Sequence, residues 1–236
     1  MMKLYSVDLS PYSARVRMQI YAKDLSDIVI ESPADWGTPK FRERLPIGRI
    51  PVLDIDGDLM PESEVISEYL EAVYPHPSLL GATPRETAHI RTLARLSDIY
   101  LINNTFVLWP QALASSRNEG LVELLGGQVV RNIKALDRMV GGDGFACSGR
   151  LTLADCALVP GLFMVENMLQ DAGLENPIPS NPGVADYWAA IQRQPAAARI
   201  LVELHRGLEE RRELIRTHGF DKLRAAARAA LEAEDR

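Results

Sequence analysis

A strand pattern and a helix pattern meet in KLYSVDLSPYSARVRMQI, residues 3–20. Residues 3–7 have the composition of a short strand. Val16 and Ile20 then recur at the i, i+4 spacing of one helix face. Between the two patterns, Ser10 is a favourable N-cap residue, and Pro11 suits the first helical position, where its missing N–H costs no hydrogen bond. The stretch therefore predicts a strand, a tight turn and a helix.

The same alternation of strand and helix continues to about residue 74. Ile28-Val29-Ile30 predicts a second strand, and 51–55 with 59–60 predicts two more around Asp56-Gly57, a dipeptide suited to a tight hairpin turn. A second clear helix follows. One face of that helix is expected to carry Val65, Ile66, Tyr69, Leu70 and Val73. The order β-α-β, loop, β-β-α predicts a small mixed sheet with helices packed on it.

Strand patterns disappear after Tyr74-Pro75-His76-Pro77, and the remaining chain predicts helices. We expect a helical stretch from 85 to about 116 that is kinked at Pro110, and a second long helix over about 120–140. From Phe220 onward, Ala, Arg, Glu and Leu favour a terminal helix that faces solvent. This half is predicted to be a helical bundle.

These patterns give a fold of the class α/β plus all-α. We predict an N-terminal domain over 1–77, a linker over 78–85 and a helical domain over 86–236, with a less typical tail from about 205. No internal repeat is found.

Composition narrows the functions that this chain can have. With 47% hydrophobic and 25% charged residues it is ordinary for a globular protein, and its net charge of -6 provides no broad basic field for nucleic acid. Cys147 and Cys156 form neither a disulfide framework nor a metal-ligand pattern, which fits a reducing cytoplasm. Neither a leader peptide nor a membrane span is predicted. We expect a cytoplasmic protein without nucleic acid, membrane or metal partners.

Ser10-Pro11 has two interpretations. On its own, a Ser-Pro pair at a helix start is a capping device. A turn between a strand and a helix also presents free N–H groups and the positive end of the helix dipole to a bound anion, and a thiolate is such an anion. A Ser10 hydroxyl that donates a hydrogen bond to sulfur would add to this effect without ionising.

Two further pairs of residues have the same double interpretation. The Ile50-Pro51 bond before a strand is either an edge-strand device or a cis turn that exposes the backbone of residue 50. Ser63 is a natural N-cap, with Glu62 just outside the helix start. As a binding site, the Ser63 hydroxyl and the helix N–H groups would hold a carboxylate, and Glu62 would meet an ammonium group.

Residues 1–80 resemble the N-terminal domain of the soluble glutathione transferases, in a bacterial-like form with a serine-type active site. The active-site turn and first helix of that family are similar to SPYSARVR at 10–17. Its cis-proline loop is similar to LPIGRIPVL at 45–53, and the start of its γ-glutamyl-binding helix to ESEVISEYL at 62–70. In the helical half, GRLTLAD at 149–155 resembles a structural element of the family, in which Thr152 and Asp155 form a capping box. The resemblance covers roughly residues 3–200.

The resemblance implies a thioredoxin-like N-terminal domain and a binding site for glutathione, which serves as substrate or cofactor. Ser10 would be the catalytic residue that faces the thiol, and Ser13 is the alternative candidate for this role. The remaining glutathione contacts would come from Ile50, Pro51, Glu62 and Ser63, with Arg49 or Lys40 at the glycyl carboxylate. Because position 10 is not cysteine, thiol–disulfide exchange is not expected.

The resemblance also implies a pocket for a small hydrophobic electrophile between the domains. Its lining residues would be Tyr12, Tyr100, Asn104 and Trp109, although aromatic residues on a long helix also bury area in a core without any ligand. Asp98 either reaches the glutathione ammonium of a partner subunit or is an exposed helix charge, and the second interpretation is favoured. A homodimer is expected from the family.

Three functions remain open. A transferase would attack an electrophilic carbon with the glutathione thiolate. The second hypothesis is a glutathione-dependent isomerase of a maleyl-type dienoic acid, or an aromatic ether-cleaving enzyme. Relatives of these kinds also have a serine-type turn like the one at Ser10. A non-enzymatic regulatory protein is the third hypothesis, because a fold alone does not determine function.

Overall fold

Four strands form the sheet of the N-terminal domain in the computed structural model, which describes residues 1–232. The strands are β1 (Met2–Tyr5), β2 (Val29–Glu31), β3 (Val52–Ile55) and β4 (Asp58–Pro61). Their spatial order is β2-β1-β3-β4, with β1 parallel to β2 and antiparallel to β3. The predicted mixed sheet is confirmed, although β1 ends before Val7.

The predicted hairpin joins β3 and β4. Asp56 and Gly57 have φ angles of 53° and 100°, the positive values that a type I′ turn requires at both central residues. The Gly57 N–H also donates to Asp54 Oδ1 at 2.7 Å. The turn aligns Leu53 with Met60 and places Leu53 in the core.

Ten helices and one π-helical turn lie in the described part of the chain. The N-terminal domain has α1 (Pro11–Ala22), α2 (Pro39–Arg44) and α3 (Ser63–Val73). The helical domain has α4 (Pro84–Leu96), the π-helical turn (Ser97–Ile102), α5 (Asn103–Leu113), α6 (Glu119–Leu136), α7 (Leu153–Asp171), α8 (Pro182–Ile191), α9 (Pro195–His218) and α10 (Phe220–Glu232). The thioredoxin-like domain followed by a helical domain is thus confirmed, and the boundary at 78–85 remains a prediction.

Helix α1 packs on both domains and so connects them. Val16 and Ile20 belong to the core that it shares with the sheet and α3. Ala14 and Met18, on its other side, belong to the core built around α7. A helix that is buried on two sides is held firmly, so the turn that precedes α1 has a rigid support.

Two details of the N-terminal domain differ from the prediction. Helix α2 occupies what was expected to be a loop; Thr38 caps it by accepting from the Phe41 N–H at 3.3 Å, and Phe41 is buried. On α3, Val65 and Val73 are 52% and 44% exposed, so the single predicted face is wrong. Five such positions span a wider arc of the helix than one packed neighbour covers.

The helical domain is built around α7, which is buried along most of its length. The predicted capping box at its start is confirmed, because Asp155 Oδ2 accepts from the Thr152 N–H at 2.8 Å. Cys156 lies in α7 and Cys147 just before it, and both are buried free thiols. Pro110 lies inside α5, but the predicted long helix is interrupted earlier, at the π-helical turn.

The predicted tail from about 205 consists of the later part of α9 and of α10. The side chains of α10 that can be described, up to residue 229, are exposed or half-buried, as the solvent-facing helix was predicted to be. Residues 233–236 of the predicted domain lie outside the described part. Within residues 1–232, none of the helices combines the length and the apolar character that crossing a membrane would require.

Candidate active site

A cleft lies where the start of α1, the loop before β3 and the start of α3 face the helical domain. It consists of two adjoining pockets that share Tyr12, Arg49 and Ile50. The first, of about 200 Å³, is polar and includes Pro51, Glu62, Ser63, Glu64 and Asp98. The second, of about 540 Å³, is more apolar and includes Ser10, Trp36, Phe106, Trp109, Gly207, Glu210, Arg211 and Leu214.

Ser10 lies at the wall of the larger pocket and caps α1. Its Oγ accepts a hydrogen bond from the Ser13 N–H at 3.2 Å. This cap uses a lone pair of the hydroxyl and leaves its proton free to donate. The capping role and the predicted role beside a sulfur atom are therefore compatible. Ser13, the reserve candidate, is fully buried and does not line the cleft.

Tyr12 stands at the junction of the two pockets. Its hydroxyl donates to Asn103 Oδ1 at 2.9 Å, and its ring stacks against Phe106 with 6.1 Å between centroids. Burial raises the pKa of Tyr12 to about 12. The phenol is therefore protonated at neutral pH and does not act as a base.

Ile50 contributes backbone groups to both pockets. Its bond to Pro51 is cis, as one of the two interpretations of the sequence required. Within residues 1–232, neither the N–H nor the carbonyl of Ile50 has a backbone hydrogen-bond partner. Because an extended peptide pairs with such free groups in the manner of a β-strand, this segment can align a ligand's backbone.

The start of α3 provides a second set of free donors. Glu62 is the N-cap residue with a φ of 73°, and its side chain makes no capping hydrogen bond. The prediction that Ser63 is the N-cap is thus wrong by one residue, since Ser63 is the first helical position. A left-handed φ at a non-glycine residue costs about 1–3 kcal/mol and concentrates at functional sites. Within residues 1–232, the first N–H groups of α3 and the Ser63 hydroxyl are available to an anion.

An ion cluster forms the floor of the polar pocket. Asp98, predicted to be an exposed helix charge, is only 6% exposed and pairs with the buried Arg15. Arg95 Nη1 approaches Asp98 Oδ2 at 3.5 Å and Glu64 Oε2 at 3.4 Å. Burial raises the pKa of the Asp98 carboxyl, and the guanidinium of Arg15 opposes that shift. The cluster joins α1, α3 and the π-helical turn beneath the site.

The two predicted cations lie at different distances from the cleft. Arg49 is exposed and lines both pockets. Lys40 is exposed on α2 and lines neither pocket. Arg49 is therefore the better placed of the two for a ligand carboxylate.

Two of the four predicted pocket residues, Tyr12 and Trp109, line the larger pocket. Tyr100 lies in a separate groove with Arg91 and Arg95, and Asn104 donates to the Tyr100 carbonyl at 2.8 Å instead of lining the cleft. The π-helical turn explains this arrangement. Its i→i+5 hydrogen bonds add one residue to the turn, so the residues that follow point in other directions than a regular α-helical spacing predicts.

Residues from α9 complete the larger pocket, and the sequence interpretation did not include them. Gly207, Glu210, Arg211 and Leu214 all line it. Their spacing places them on one side of a helix, but many surfaces of a helical bundle have such a spacing. No sequence signal shows that α9 is the helix that approaches the turn at residues 6–10, before α1.

Comparison with known proteins shows consistent similarities. A family model described as the glutathione S-transferase N-terminal domain matches residues 4–78. A maleylacetoacetate isomerase of Pseudomonas aeruginosa is 34% identical over 201 residues, 81% of this chain and 88% of that protein. A probable maleylacetoacetate isomerase of Caenorhabditis elegans is 28% identical over 207 residues, 81% of this chain and 92% of that protein.

A solved structure shares the fold. The crystal structure of a glutathione S-transferase from Methylobacterium radiotolerans, in complex with glutathione sulfonate, matches with a TM-score of 0.73 at 20% identity. The match covers 84% of this chain and 93% of that one.

Proposed function

This chain belongs to the glutathione S-transferase family, and from that premise we propose that it binds glutathione in the cleft and holds the sulfur beside Ser10. The observation that carries the proposal is the Ser10 hydroxyl at the wall of an apolar pocket, where it accepts a hydrogen bond and keeps its own O–H to donate, next to two sets of backbone groups that have no backbone partner within residues 1–232. Glutathione offers a thiol, a peptide backbone and charged termini, which match these groups in type.

We place the γ-glutamyl end of glutathione in the polar pocket. Its carboxylate would accept from the Ser63 hydroxyl and the first N–H groups of α3. Its ammonium group would face Glu62, with the buried Asp98 behind it. The cysteinyl backbone would pair with Ile50, and Arg49 would meet the glycyl carboxylate. This orientation directs the sulfur toward Ser10 and the larger pocket.

The proposed chemistry is stabilisation of a thiolate. A free thiol has a pKa of about 8.5, and a hydrogen bond from Ser10 together with the N-terminus of α1 favours the charged form. The thiol proton leaves to solvent. The thiolate then attacks an electrophilic carbon in the larger pocket and forms a C–S bond, while the electron pair moves to the leaving group or to an acceptor in the substrate.

The glutathione site can be tested at Ser63. Replacing Ser63 by alanine removes one hydrogen bond to a charged carboxylate, and we expect the Kd for glutathione to rise about 10- to 100-fold. Calorimetry measures this change. Ser67→Ala is the matched control, because Ser67 lies on the same helix, is buried, and does not line the cleft. Equal Kd values for Ser63→Ala and the wild type would remove Ser63 from the site. A wild type that binds no glutathione would favour a non-enzymatic role.

A second candidate function is glutathione-dependent isomerisation of a maleyl-type dienoic acid. Two observations favour it: the relatives named maleylacetoacetate isomerases, and Arg211, which lines the larger pocket and makes no ion pair within residues 1–232. An unpaired guanidinium next to an apolar pocket suits an electrophile that carries a carboxylate. In this reaction the thiolate adds to the diene and is later released, so glutathione is recovered.

Arg211→Met separates the two candidates. For a maleyl-type acid we expect kcat/KM to fall at least about tenfold, because a charge-assisted hydrogen bond is lost, with little change for a neutral electrophile. Arg216→Met, on an exposed part of α9, is the control. Total glutathione is followed by thiol titration: conjugation consumes it, whereas isomerisation leaves it constant. Equal activity of Arg211→Met and the wild type on the acid would contradict this role.

We also propose a cytoplasmic homodimer, as the family resemblance implies. Val65, Ile99 and Tyr100 expose apolar surface on α3 and the π-helical turn. Exposed apolar side chains of this kind are what subunits of a dimer bury.

A further inference from the structure

Arg17 binds the turn that precedes Ser10. We call residues 6–10 the active-site turn. The Arg17 guanidinium is 2% exposed and donates to the Ser6 Oγ, to the Val7 carbonyl at 2.9 Å and to the Asp8 carbonyl at 3.0 Å. These acceptors precede Ser10 by only a few residues. The planar fork of arginine thus fixes several groups of an irregular segment at once.

A fourth N–H of Arg17 reaches the helical domain. Its Nε donates to Glu203 Oε2 on α9 at 2.7 Å. Glu203 is itself nearly buried, and its other oxygen accepts from the Tyr21 hydroxyl at 2.8 Å. A buried guanidinium requires a counter-charge and fixed geometry, and Glu203 supplies both. The orientation of Arg17 therefore depends on α9.

Helix α9 also contacts the active-site turn directly. A Cβ atom at Gly207, one turn after Glu203, would lie 2.6 Å from the Leu9 backbone nitrogen, so only glycine permits this approach. Arg206 Nε donates to Asp8 Oδ2 at 2.6 Å. The turn is thus held between α1 and α9, by Arg17 on one side and by the α9 backbone on the other.

We propose that Arg17 is a positioning residue for Ser10, and that Glu203 keeps Arg17 in its working orientation. This inference rests on the proposed function, since it concerns the group that donates to the glutathione sulfur. Arg17 lines neither of the two pockets of the cleft. It fixes the backbone of the active-site turn, and through it the direction in which the Ser10 hydroxyl points. A hydrogen bond weakens steeply when its donor points away from the acceptor. A small displacement of the Ser10 hydroxyl should therefore change the pKa of the bound thiol.

Two variants test the proposal. Arg17→Lys keeps the charge but loses the fork, and Glu203→Gln removes the counter-charge while keeping the shape. For both we expect the pKa of enzyme-bound glutathione to rise by roughly half to one unit, which leaves about three- to tenfold less thiolate below that pKa. We expect kcat at the same pH to fall by a similar factor, with little change in the Kd for glutathione. The ultraviolet absorbance of the thiolate and calorimetry give these two quantities.

Arg199→Met is the matched control. Arg199 approaches the same carboxylate, with its Nε 3.5 Å from Glu203 Oε1, but it is 62% exposed, and within residues 1–232 it makes no ion pair with the active-site turn. We expect its bound thiol to titrate as in the wild type. An equal shift in Arg199→Met and Glu203→Gln would overturn the proposal, because the effect would then come from general packing of α9.

The remaining outcomes separate this inference from the proposed function. In one outcome, Arg17→Lys and Glu203→Gln both fold by circular dichroism and their bound thiol titrates as in the wild type, whereas Ser10→Ala shifts the thiol pKa. That outcome would overturn the positioning role alone. If Arg17→Lys does not fold, Glu203→Gln decides. A wild type whose bound thiol titrates like free glutathione would overturn the proposed function itself.

Discussion

Replacing Ser10 by alanine is expected to lower kcat/KM near neutral pH by about 8- to 25-fold, because losing the donor raises the thiol pKa by one to two units toward that of a free thiol and so reduces the thiolate fraction. The effect comes from the missing O–H donor. An effect of this size is about 1–2 kcal/mol, which is close to the value for one hydrogen bond to a charged group. Steady-state kinetics over pH measures it, and the loss should shrink as the pH rises above the free thiol pKa.

The same substitution also removes the N-cap of α1, which needs its own control. Thr83 caps α4 by accepting from the Glu86 N–H at 3.2 Å, the same distance as the Ser10 cap. Thr83→Ala should cost about 0.5–2 kcal/mol of stability, as Ser10→Ala should, without loss of kcat/KM. If Ser10→Ala and Thr83→Ala lose activity equally, the effect of Ser10 is only that of a helix cap.

Replacing Lys23 by methionine is expected to destabilise the protein by about 3–5 kcal/mol, because it leaves the buried carboxylate of Glu71 without its counter-charge. The Lys23 Nζ lies 3.0 Å from Glu71 Oε1 and donates to the carbonyls of Tyr74 at 2.8 Å and Pro77 at 2.5 Å. This pair therefore ties α1 and α3 to the segment that leads into the helical domain. Urea unfolding measures the change, and Tm should fall by roughly 6 to 20 °C.

Two comparisons identify the cause. Lys3→Met breaks the half-exposed pair with Glu31 and should cost at most about 1 kcal/mol. The double variant Lys23→Met/Glu71→Leu should recover much of the stability lost in Lys23→Met, because no unpaired buried charge remains. A Lys23→Met protein that unfolds at the same urea concentration as the wild type would show that the pair contributes nothing.

The sequence predicts the part of the site that is built from local signals. Ser10-Pro11 is recognisable because capping and a proline at the first helical position have fixed chemistry, and the structure confirms both. Asp56-Gly57 predicts its hairpin for the same reason. Helix α2 was missed although Thr38-Pro39 has the same form as Ser10-Pro11, because a short helix lacks the apolar periodicity that accompanies a longer one.

The part of the site that depends on packing between distant segments could not be predicted. Asp98 looks like a surface charge in sequence, but its burial is tolerable because Arg15 from α1 and Arg95 from α4 pair with it. Gly207 and Arg211 join the cleft because α9 crosses the active-site turn, a contact that spans most of the chain. The π-helical turn rotates Tyr100 away, and no rule of residue spacing identifies such a turn.

The measurement that tests the central claim most directly is the ultraviolet titration of glutathione bound to the wild type and to Ser10→Ala. We predict a thiol pKa about one to two units below the value of about 8.5 for a free thiol in the wild type, and a return toward that value in Ser10→Ala. Because the complex then binds fewer protons, glutathione affinity should rise with pH between the bound and the free pKa. Identical titrations of the wild-type and Ser10→Ala complexes would contradict the account.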